Sequence, residues 1–544
     1  LILKIMILKV KLILSFCLFL TFISCNDFSV NNEKKIKPNI IFFLVDDLGW
    51  SDLGSYGSEF YETPNIDSLA KSGIKFTNAY SACHVCSPAR ASILTGKYPA
   101  TLNLTDWLTG RPSMPYDKLK GPEIIQHLPY DEITIAETLK NIGYKTGIFG
   151  KWHLGEDPSD PLAHGFDVHL PDWSKGWPNK GYFAPFGLDG FDNSKEGEYL
   201  TDKLTDEAIK YIEKNKEDPF FIYVSYFAVH DPIQGRKDLV EKYTRKLQNI
   251  NNFRDLPFIL EGNPDDLYKS SKDELLKKVR SKGYVNKYQT FDKDLVLIKQ
   301  YQDNVEFAAM VESVDQSLGK ILNKIKDLNL DENTIIFFYS DNGGMAAMNG
   351  TPWTKLKKSE LDGAFSTSNL PLRGAKGWLY EGGIRVPLII KNPKTSLTGL
   401  ESNLPVSSVD ILPTILRMVD SNIKLSDDIE GVDISPVTRG KDINRGPIYW
   451  HFPHYSNHGM QSPGGAIRDG DYKLIEYFEN GSVQLFNLKD DIGELNDISK
   501  IEIEKTKDLK LKLKNWRVKV NARMMKKNPN YVKDFDRNTN PWLN

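Results

Sequence analysis

Asn39-Ile40-Ile41-Phe42-Phe43-Leu44-Val45-Asp46-Asp47 decides how this chain is read. Six consecutive apolar residues, Ile40 to Val45, leave no polar face. That is the pattern of a strand covered on both sides in a parallel sheet. The run stops abruptly in two carboxylates. Three further runs follow the same plan. Lys145-Thr146-Gly147-Ile148-Phe149 leads into Gly150-Lys151-Trp152-His153, and Phe220-Phe221-Ile222-Tyr223-Val224 leads to His230-Asp231-Pro232. Thr334-Ile335-Ile336-Phe337-Phe338-Tyr339 leads into Ser340-Asp341-Asn342-Gly343, and Val386-Pro387-Leu388-Ile389-Ile390 is a fifth run. Helical periodicity fills the intervals. Thr134-x-x-Glu137 is a capping box that predicts a helix over Ile135 to Asn141. Leu204, Ala208, Ile209 and Ile212 share one helical face, as do Val311, Val314, Leu318, Ile321, Leu322 and Ile325. Strands alternating with helices predict an α/β fold, a mostly parallel sheet sandwiched by helices.

In open parallel sheets, sites form outside the carboxyl ends of the strands. Asp46, Asp47, Lys151, His153, His230, Asp341 and Asn342 are therefore expected to converge. Three carboxylates and an amide carbonyl are hard oxygen ligands, suited to Ca²⁺ or to Mg²⁺. Zinc spacing is lacking, because Cys83-His84-Val85-Cys86 has no second CxxC to complete four ligands. Cys86 opens Cys86-Ser87-Pro88-Ala89-Arg90, with Thr95-Gly96 beyond. A helix over Ala89 to Leu94 puts Cys86 at its positive end, where an anion is favoured. Cys86 is then either a nucleophile beside an anion site or a buried or disulfide-bonded cysteine. Singly, each of these residues also has a structural reading: a solvated turn for Asp46-Asp47, a core ion pair for Arg90, a surface charge for Lys376, satisfied histidines at 153 and 230. Four strand ends with such groups in one chain weigh against that reading. A hard cation with Lys, Arg and His suits an anionic tetrahedral ester, phosphate or sulfate.

The chain has 544 residues, a net charge of −2, 40% hydrophobic residues and 11% aromatic residues. This supports a large core and gives no global reason to expect nucleic acid. Residues 1–24 read as a secretion signal, with Lys4, Lys9 and Lys11 before the apolar run Leu12 to Ile23. Phe22-Ile23-Ser24-Cys25 resembles a bacterial lipobox, with Cys25 as the lipidated residue and 25–37 as a tether. The expected location is the periplasm or cell surface, with membrane attachment only through a lipid anchor. Of four cysteines only Cys83 and Cys86 lie in the body of the chain, so this is not a disulfide scaffold. Residues 38–444 form the expected main domain, with 241–300 as a partly helical surface insertion. From 445 the pattern changes: Leu474 to Phe478 and Val483 to Leu488 flank the hairpin signal Glu479-Asn480-Gly481, and Leu509 to Val520 reads as a basic helix. Residues 445–544 are thus expected to be a smaller antiparallel α+β subdomain.

The combination of Asp46-Asp47, Cys86-x-Pro88-x-Arg90, Gly150-Lys151-Trp152-His153-Leu154-Gly155, Ser340-Asp341-Asn342-Gly343 and Gly374-Ala375-Lys376-Gly377 resembles the type I, formylglycine-dependent sulfatases. These enzymes have an alkaline-phosphatase-like fold. The resemblance implies that a maturation enzyme oxidises Cys86 to formylglycine, whose hydrated aldehyde is the nucleophile. It implies that Asp46, Asp47, Asp341, Asn342 and the modified residue 86 bind Ca²⁺. Arg90 would hold the formylglycine diol, and Lys151 and Lys376 the sulfate oxygens. His230, perhaps with Lys376, would protonate the leaving oxygen, and His153 would deprotonate the second hydroxyl. A Cys83–Cys86 disulfide would block this maturation; conversion of the unfolded chain is expected to prevail.

Substrate contacts are expected from Trp107, Arg111, Trp173 and Trp177, and from the His-rich stretch with His451, His454 and His458. Core packing is the competing reading for the Trp residues, and a structural loop for the His-rich stretch. The expected substrate is a sulfated polysaccharide or its oligosaccharides, an algal glycan such as ulvan ahead of carrageenan, fucan or glycosaminoglycan. The alternatives are a phosphomonoester or phosphonate ester hydrolase of the same fold, and a non-catalytic glycan-binding lipoprotein.

Overall fold

The computed structural model describes residues 2–3, 37–250, 258–262, 274, 277, 295–347, 365–456, 461–533 and 535. Most of the expected signal, Cys25 and most of the tether lie outside these residues, as do much of 241–300 and His458. Pro38–Asn544 is one compact unit, distinct from Leu1–Lys37.

The apolar runs form the centre of an eight-stranded sheet. Its strands in chain order are β1 (Asn39–Val45), β2 (Ile74–Phe76), β3 (Lys145–Gly150), β4 (Val168–Leu170), β5 (Phe220–Ser225), β6 (Thr334–Ser340), β7 (Leu388–Lys391) and β8 (Leu400–Ser402). The spatial order is β8-β2-β7-β6-β1-β5-β3-β4. Only β7 runs against the rest, antiparallel to both β6 and β2. The fifth apolar run is thus a strand that starts at Leu388 and faces the other way, so its beginning and not its end lies where β6 finishes, with Leu388 opposite Tyr339.

Alternate residues of β1 go to opposite layers. Ile41, Phe43 and Val45 pack with the helices Pro64–Ser72, Leu200–Lys214 and Val305–Asp327. Ile40, Phe42 and Leu44 pack with Cys86–Thr95, Ile135–Asn141 and Ile411–Val419. A strand buried on both faces needs apolar side chains at every position, which is why no alternation is visible in the sequence. The helix Ile135–Asn141 starts on the expected capping box, with Thr134 and Glu137 each accepting from the other's backbone N–H.

Four antiparallel strands, β9 (Ile448–Phe452), β10 (Gly464–Asp469), β11 (Tyr472–Tyr477) and β12 (Val483–Asn487), follow as a second sheet in that order. Gly481, with φ of +71°, closes the β11–β12 hairpin by donating to the Tyr477 carbonyl. Leu509, Leu513 and Trp516 of the helix Ile503–Lys519 cover Ile467, Leu474 and Leu485 of this sheet. The described part of the 241–300 segment holds the end of the helix Lys237–Gln248 and most of a hairpin pairing Phe258–Gly262 with Leu295–Lys299. That hairpin is not purely a surface feature, because Ile298 packs with Trp378 and Tyr380, and Glu261 pairs with Arg373 at 2.8 Å.

The second sheet is fastened to the first by a fully buried ion cluster. Lys473 of β11 sits 2.9 Å from Glu381 and 2.9 Å from Glu494, all without exposure. Glu381 also pairs with Arg385 at 2.8 Å and accepts from the Tyr80 hydroxyl at 2.7 Å. Burial, opposed by Lys473, raises Glu494 to a pKa of about 7. Removing one member of such a cluster strands a charge. Lys473→Met is expected to cost about 3–5 kcal/mol, read as a lower urea midpoint, with part of the loss recovered when Glu494→Gln is added.

Asp52 gives a separate expectation. It accepts from the Gly49 N–H at 2.8 Å, Thr367 at 2.6 Å and Gln302 at 3.1 Å, yet burial outweighs these bonds and raises its pKa to about 7. The unfolded chain loses this proton near the ordinary value of 3.8, so between there and about 7 only the folded chain holds it. The contribution is full at low pH and is lost as pH rises through the folded value. Melting temperatures from pH 4 to 8 should therefore show wild type losing ground relative to Asp52→Asn as pH rises.

Candidate active site

The four central strands β6, β1, β5 and β3 end side by side, and each delivers its polar groups to one place. Asp46 and Asp47 follow β1, Lys151 and His153 follow β3, His230 follows β5, and Asp341 and Asn342 follow β6. Carboxylate oxygens of Asp46, Asp47 and Asp341 lie within 4.8 Å of one another, and atoms of Asp46, Cys86 and His230 meet the same limit. Asp47 and His153 have φ of +62° and +58°, the left-handed region that non-glycine residues seldom occupy. Such strain persists where surrounding contacts fix it. Here the Asp47 N–H donates to Asp341 at 3.2 Å, and the His153 ring is held by the Leu108 carbonyl at 2.9 Å.

Cys86 is the first residue of the helix Cys86–Thr95, so the helix starts three residues earlier than Ala89 and places residue 86 inside its N-terminal turn. The Val85 cap makes no side-chain bond to the first turn. The Cys86 sulfur lies 3.5 Å from Asp46 Oδ1 and 3.4 Å from Lys376 Nζ. Both Cys83 and Cys86 are free and buried, so the thiol pair is not bridged. Burial, reinforced by Asp46, pushes the Cys86 thiol up to about 12, and an unaltered thiol there is not a thiolate nucleophile at neutral pH.

Charge in the site is closely balanced. Arg90 reaches Asp341 at 2.8 Å, Asp46 at 3.5 Å and Ser225 Oγ at 2.7 Å. Lys151 pairs with Asp46 at 2.5 Å, and Lys376 with Asp47 at 2.7 Å. All six charged groups are essentially without solvent contact. Burial works against ionising Asp46, but Lys151 and Arg90 outweigh it and hold its pKa below the ordinary value. Asp341, buried and crowded by Asp46, is pushed up. Burial opposes the charge on Lys376, and Asp47 more than restores it.

A hard cation fits this donor set. Three buried carboxylates converge, and the Asn342 side chain donates its nitrogen to Asp47 at 2.7 Å while its buried Oδ1 has no partner. A buried amide oxygen without a partner, on a side chain that touches Asp47, is what a cation would use. Three Asp against Arg90, Lys151 and Lys376 is neutral. A divalent ion would make the site net positive, the sign that draws in an anionic ester.

The two histidines are set apart. Leu108 accepts from His153 Nε2, which leaves Nδ1 buried without a partner. Burial, then Lys151, holds His153 well below its usual pKa. His230 Nδ1 faces Asp231 Oδ1 at 2.7 Å, and its Nε2 is 3.8 Å from Asp47. Burial and Lys376 lower the His230 pKa, but Asp231, Asp47 and Asp46 together carry it above the ordinary value.

The expected substrate contacts are placed differently. Arg111 is tied to both oxygens of Asp117, at 2.7 and 3.0 Å, and stacks over Tyr116 and Tyr455. His451 is buried against the Arg523 carbonyl, and His454 against Thr105 Oγ1 at 2.8 Å. Trp107 packs, partly buried, on Cys83, Val85, Ala89 and Phe452. All four thus have packing or hydrogen-bond partners within the chain itself. Sequence reasoning passed over Ser225, which bridges Arg90 to the Lys151 carbonyl, and Asp231 as the His230 partner. Both were visible as polar residues at or just beyond the end of β5.

The family described as Sulfatase matches residues 38–421, and the region described as N-sulphoglucosamine sulphohydrolase, C-terminal, matches residues 375–521. A sulfatase of Formosa agariphila is 30% identical over 569 aligned residues, covering 89% of this chain and 90% of that one. An ulvan-active sulfatase of the same organism is 29% identical over 510 residues, covering 91% and 83%. The crystal structure of Ps i-CgsB matches with a TM-score of 0.63 at 29% identity, covering 88% of this chain and 93% of that one. With the family match spanning all four strand ends that build the site, the chain belongs to the sulfatases, alkaline-phosphatase-like enzymes that hydrolyse sulfuric esters.

Proposed function

We propose that this sulfatase removes sulfate from a sulfated glycan through formylglycine made from Cys86, with Ca²⁺ held by Asp46, Asp47, Asp341 and Asn342. The observation that carries the reading is the position of residue 86. It stands at a helix N-terminus, within reach of Asp46 and Lys376, as a thiol too basic to act unmodified. Hydrated formylglycine at position 86 would supply the nucleophilic oxygen, and Ca²⁺ held by Asp46, Asp47, Asp341 and Asn342 would supply Lewis acidity toward the sulfuryl oxygens. Arg90 fixes Asp46 and Asp341 beneath residue 86 and stands ready for the diol. Lys151 and Lys376 neutralise the sulfate oxygens in a water-poor pocket, where such contacts are strongest.

His230 is the general acid in this reading. Asp231 lies outside the proposed cation ligands and keeps Nδ1 protonated, which leaves Nε2–H for the leaving oxygen. Lys376 is a poorer acid, since Asp47 raises its pKa. His153, neutral and with Nδ1 bare, accepts a proton. Ulvan is the favoured glycan, supported by the ulvan-active relative. The complex of Ps i-CgsB with k-i-k-neocarrahexaose makes carrageenan oligosaccharides the next candidate. The lipobox-like Cys25 supports export with a lipid anchor.

Co-expressed with a maturation enzyme, the protein should yield a Cys86 peptide bearing an aldehyde, seen by mass spectrometry and hydrazide tagging. An intact thiol in active enzyme would sink the mechanism, and a kcat/KM higher for aryl phosphate than for aryl sulfate would point to the phosphoester alternative. His230→Ala should lower kcat on a sugar sulfate by about 10²–10⁴, and much less on 4-nitrophenyl sulfate, whose leaving group needs little protonation. Equal losses on the two substrates would remove His230 from the acid role. Chelation should lower the melting temperature and Ca²⁺ restore it, by about 4 kcal/mol at a thousandfold excess over Kd, with no response in Asp341→Ala.

A further inference from the structure

Beside His153 the chain comes back as the loop between β4 and the helix Leu200–Lys214. Gly176 of this loop lies directly on the imidazole: a β-carbon there would stand 2.4 Å from Cε1 and 2.6 Å from Nδ1 of His153. The loop is held at several points. Trp173 packs, partly buried, against the core and donates its indole N–H to the Trp177 carbonyl at 2.7 Å. Ser174 donates to Glu156 at 3.1 Å, and Lys175 forms an ion pair with the same carboxylate. Glu156 itself follows His153 by only three residues. The segment from 173 to 177 is therefore closed on itself by the Trp173–Trp177 bond and tied to Glu156 through Ser174 and Lys175.

Trp177 projects from this fixed segment with 45% of its surface exposed. The other described tryptophans are buried or partly buried. Trp173 of the same loop is partly buried, so the two indoles differ in how much of the ring is open to a ligand. One Cα step, about 3.8 Å, separates Trp177 from the glycine that touches the His153 ring. The neighbouring charge is already spent, since Lys175 is paired with Glu156.

We propose that Trp177 is a stacking platform for a pyranose ring adjoining the sulfated sugar, making the loop 173–177 a glycan subsite beside the catalytic pocket. A sugar ring presents an apolar C–H face and polar edges. It suits a flat indole whose edge stays wet, while the sulfate is taken by the charged pocket. The rigid loop lowers the ordering cost of binding. The inference rests on the glycan reading above and deepens it. It separates the two indoles of the loop: Trp173 anchors and Trp177 binds.

The test uses the full chain carrying Cys86→Ala, with Ca²⁺ present, so that binding is read without turnover. Calorimetry with a sulfated tetrasaccharide from ulvan or from carrageenan, whichever the matured wild type desulfates, gives Kd. Adding Trp177→Ala should weaken the tetrasaccharide about tenfold and the corresponding sulfated monosaccharide much less; Trp177→Phe should fall between. Equal tetrasaccharide affinities with and without Trp177 overturn the subsite. An equal loss on both ligands also overturns it, and assigns Trp177 to supporting His153. If the matured wild type desulfates 4-nitrophenyl sulfate but no sulfated oligosaccharide, the glycan reading itself fails, and the subsite with it.

Discussion

Three carboxylates buried at the ends of β1 and β6, matched by one arginine and two lysines, are the constraint around which the rest of the molecule is arranged. Taking such groups out of water costs several kcal/mol per ion, and well-packed apolar residues would serve stability at least as well. The cluster is thus expensive in folding terms, and two large apolar layers above and below β1 offset it. Arg90 is the centrepiece. From the buried helix Cys86–Thr95 it spans Asp341, Asp46, Ser225 and the Lys151 carbonyl, which ties together groups from β6, β1, β5 and β3. A lysine could not replace it, because no single ammonium presents a planar fork to four partners on three sides.

The second sheet belongs to this arrangement and is not an appendage. Lys376 comes from an irregular segment, and that segment is clamped from the C-terminal side. Gln461 accepts from the Leu379 N–H, and Glu494 accepts from the Glu381 N–H at 2.6 Å. Arg373 donates to the Glu494 carbonyl at 2.9 Å, and Trp378, Leu379 and Tyr380 pack with Trp450, Ile475 and Phe486. The buried pairing of Lys473 with Glu381 completes the clamp. In the proposed reaction the Lys376 ammonium would meet a sulfate oxygen, a role that needs its backbone fixed to a fraction of an ångström. The antiparallel sheet provides that fixity, and this explains why the compact unit runs through residue 445 without a break.

Strand-end chemistry was legible in the sequence because a doubly buried strand writes itself as an apolar run, and the residue after it must turn toward the site. Asp46, Lys151 and Asp341 are read that way with little ambiguity. β7 was not: its run looks like the others, and only pairing shows that it points backward. His451 and His454 illustrate a different limit. A histidine-rich stretch announces polar chemistry but carries no record of burial; here each ring has its Nε2 on a local partner, and Nδ1 of His451 is buried without one. Contacts made through backbone leave no mark at all. The Leu108 carbonyl and the Gly176 backbone set the orientation of His153, yet neither residue type signals a role.

Those backbone contacts matter because the proposed reaction needs one histidine as a base and another as an acid. Identical side chains are divided by their surroundings. His153 is buried beside Lys151, with its Nε2 proton committed to the Leu108 carbonyl. It has no carboxylate partner to favour charge, so it stays neutral with one nitrogen bare. His230 is somewhat more exposed, and Asp231 grips its Nδ1 while two further carboxylates face it, so its charged form is favoured. A cation bound at Asp46 and Asp47 would weaken the second influence and leave the first. The acid role therefore depends most on Asp231, a residue outside both the cation ligands and the sulfate contacts.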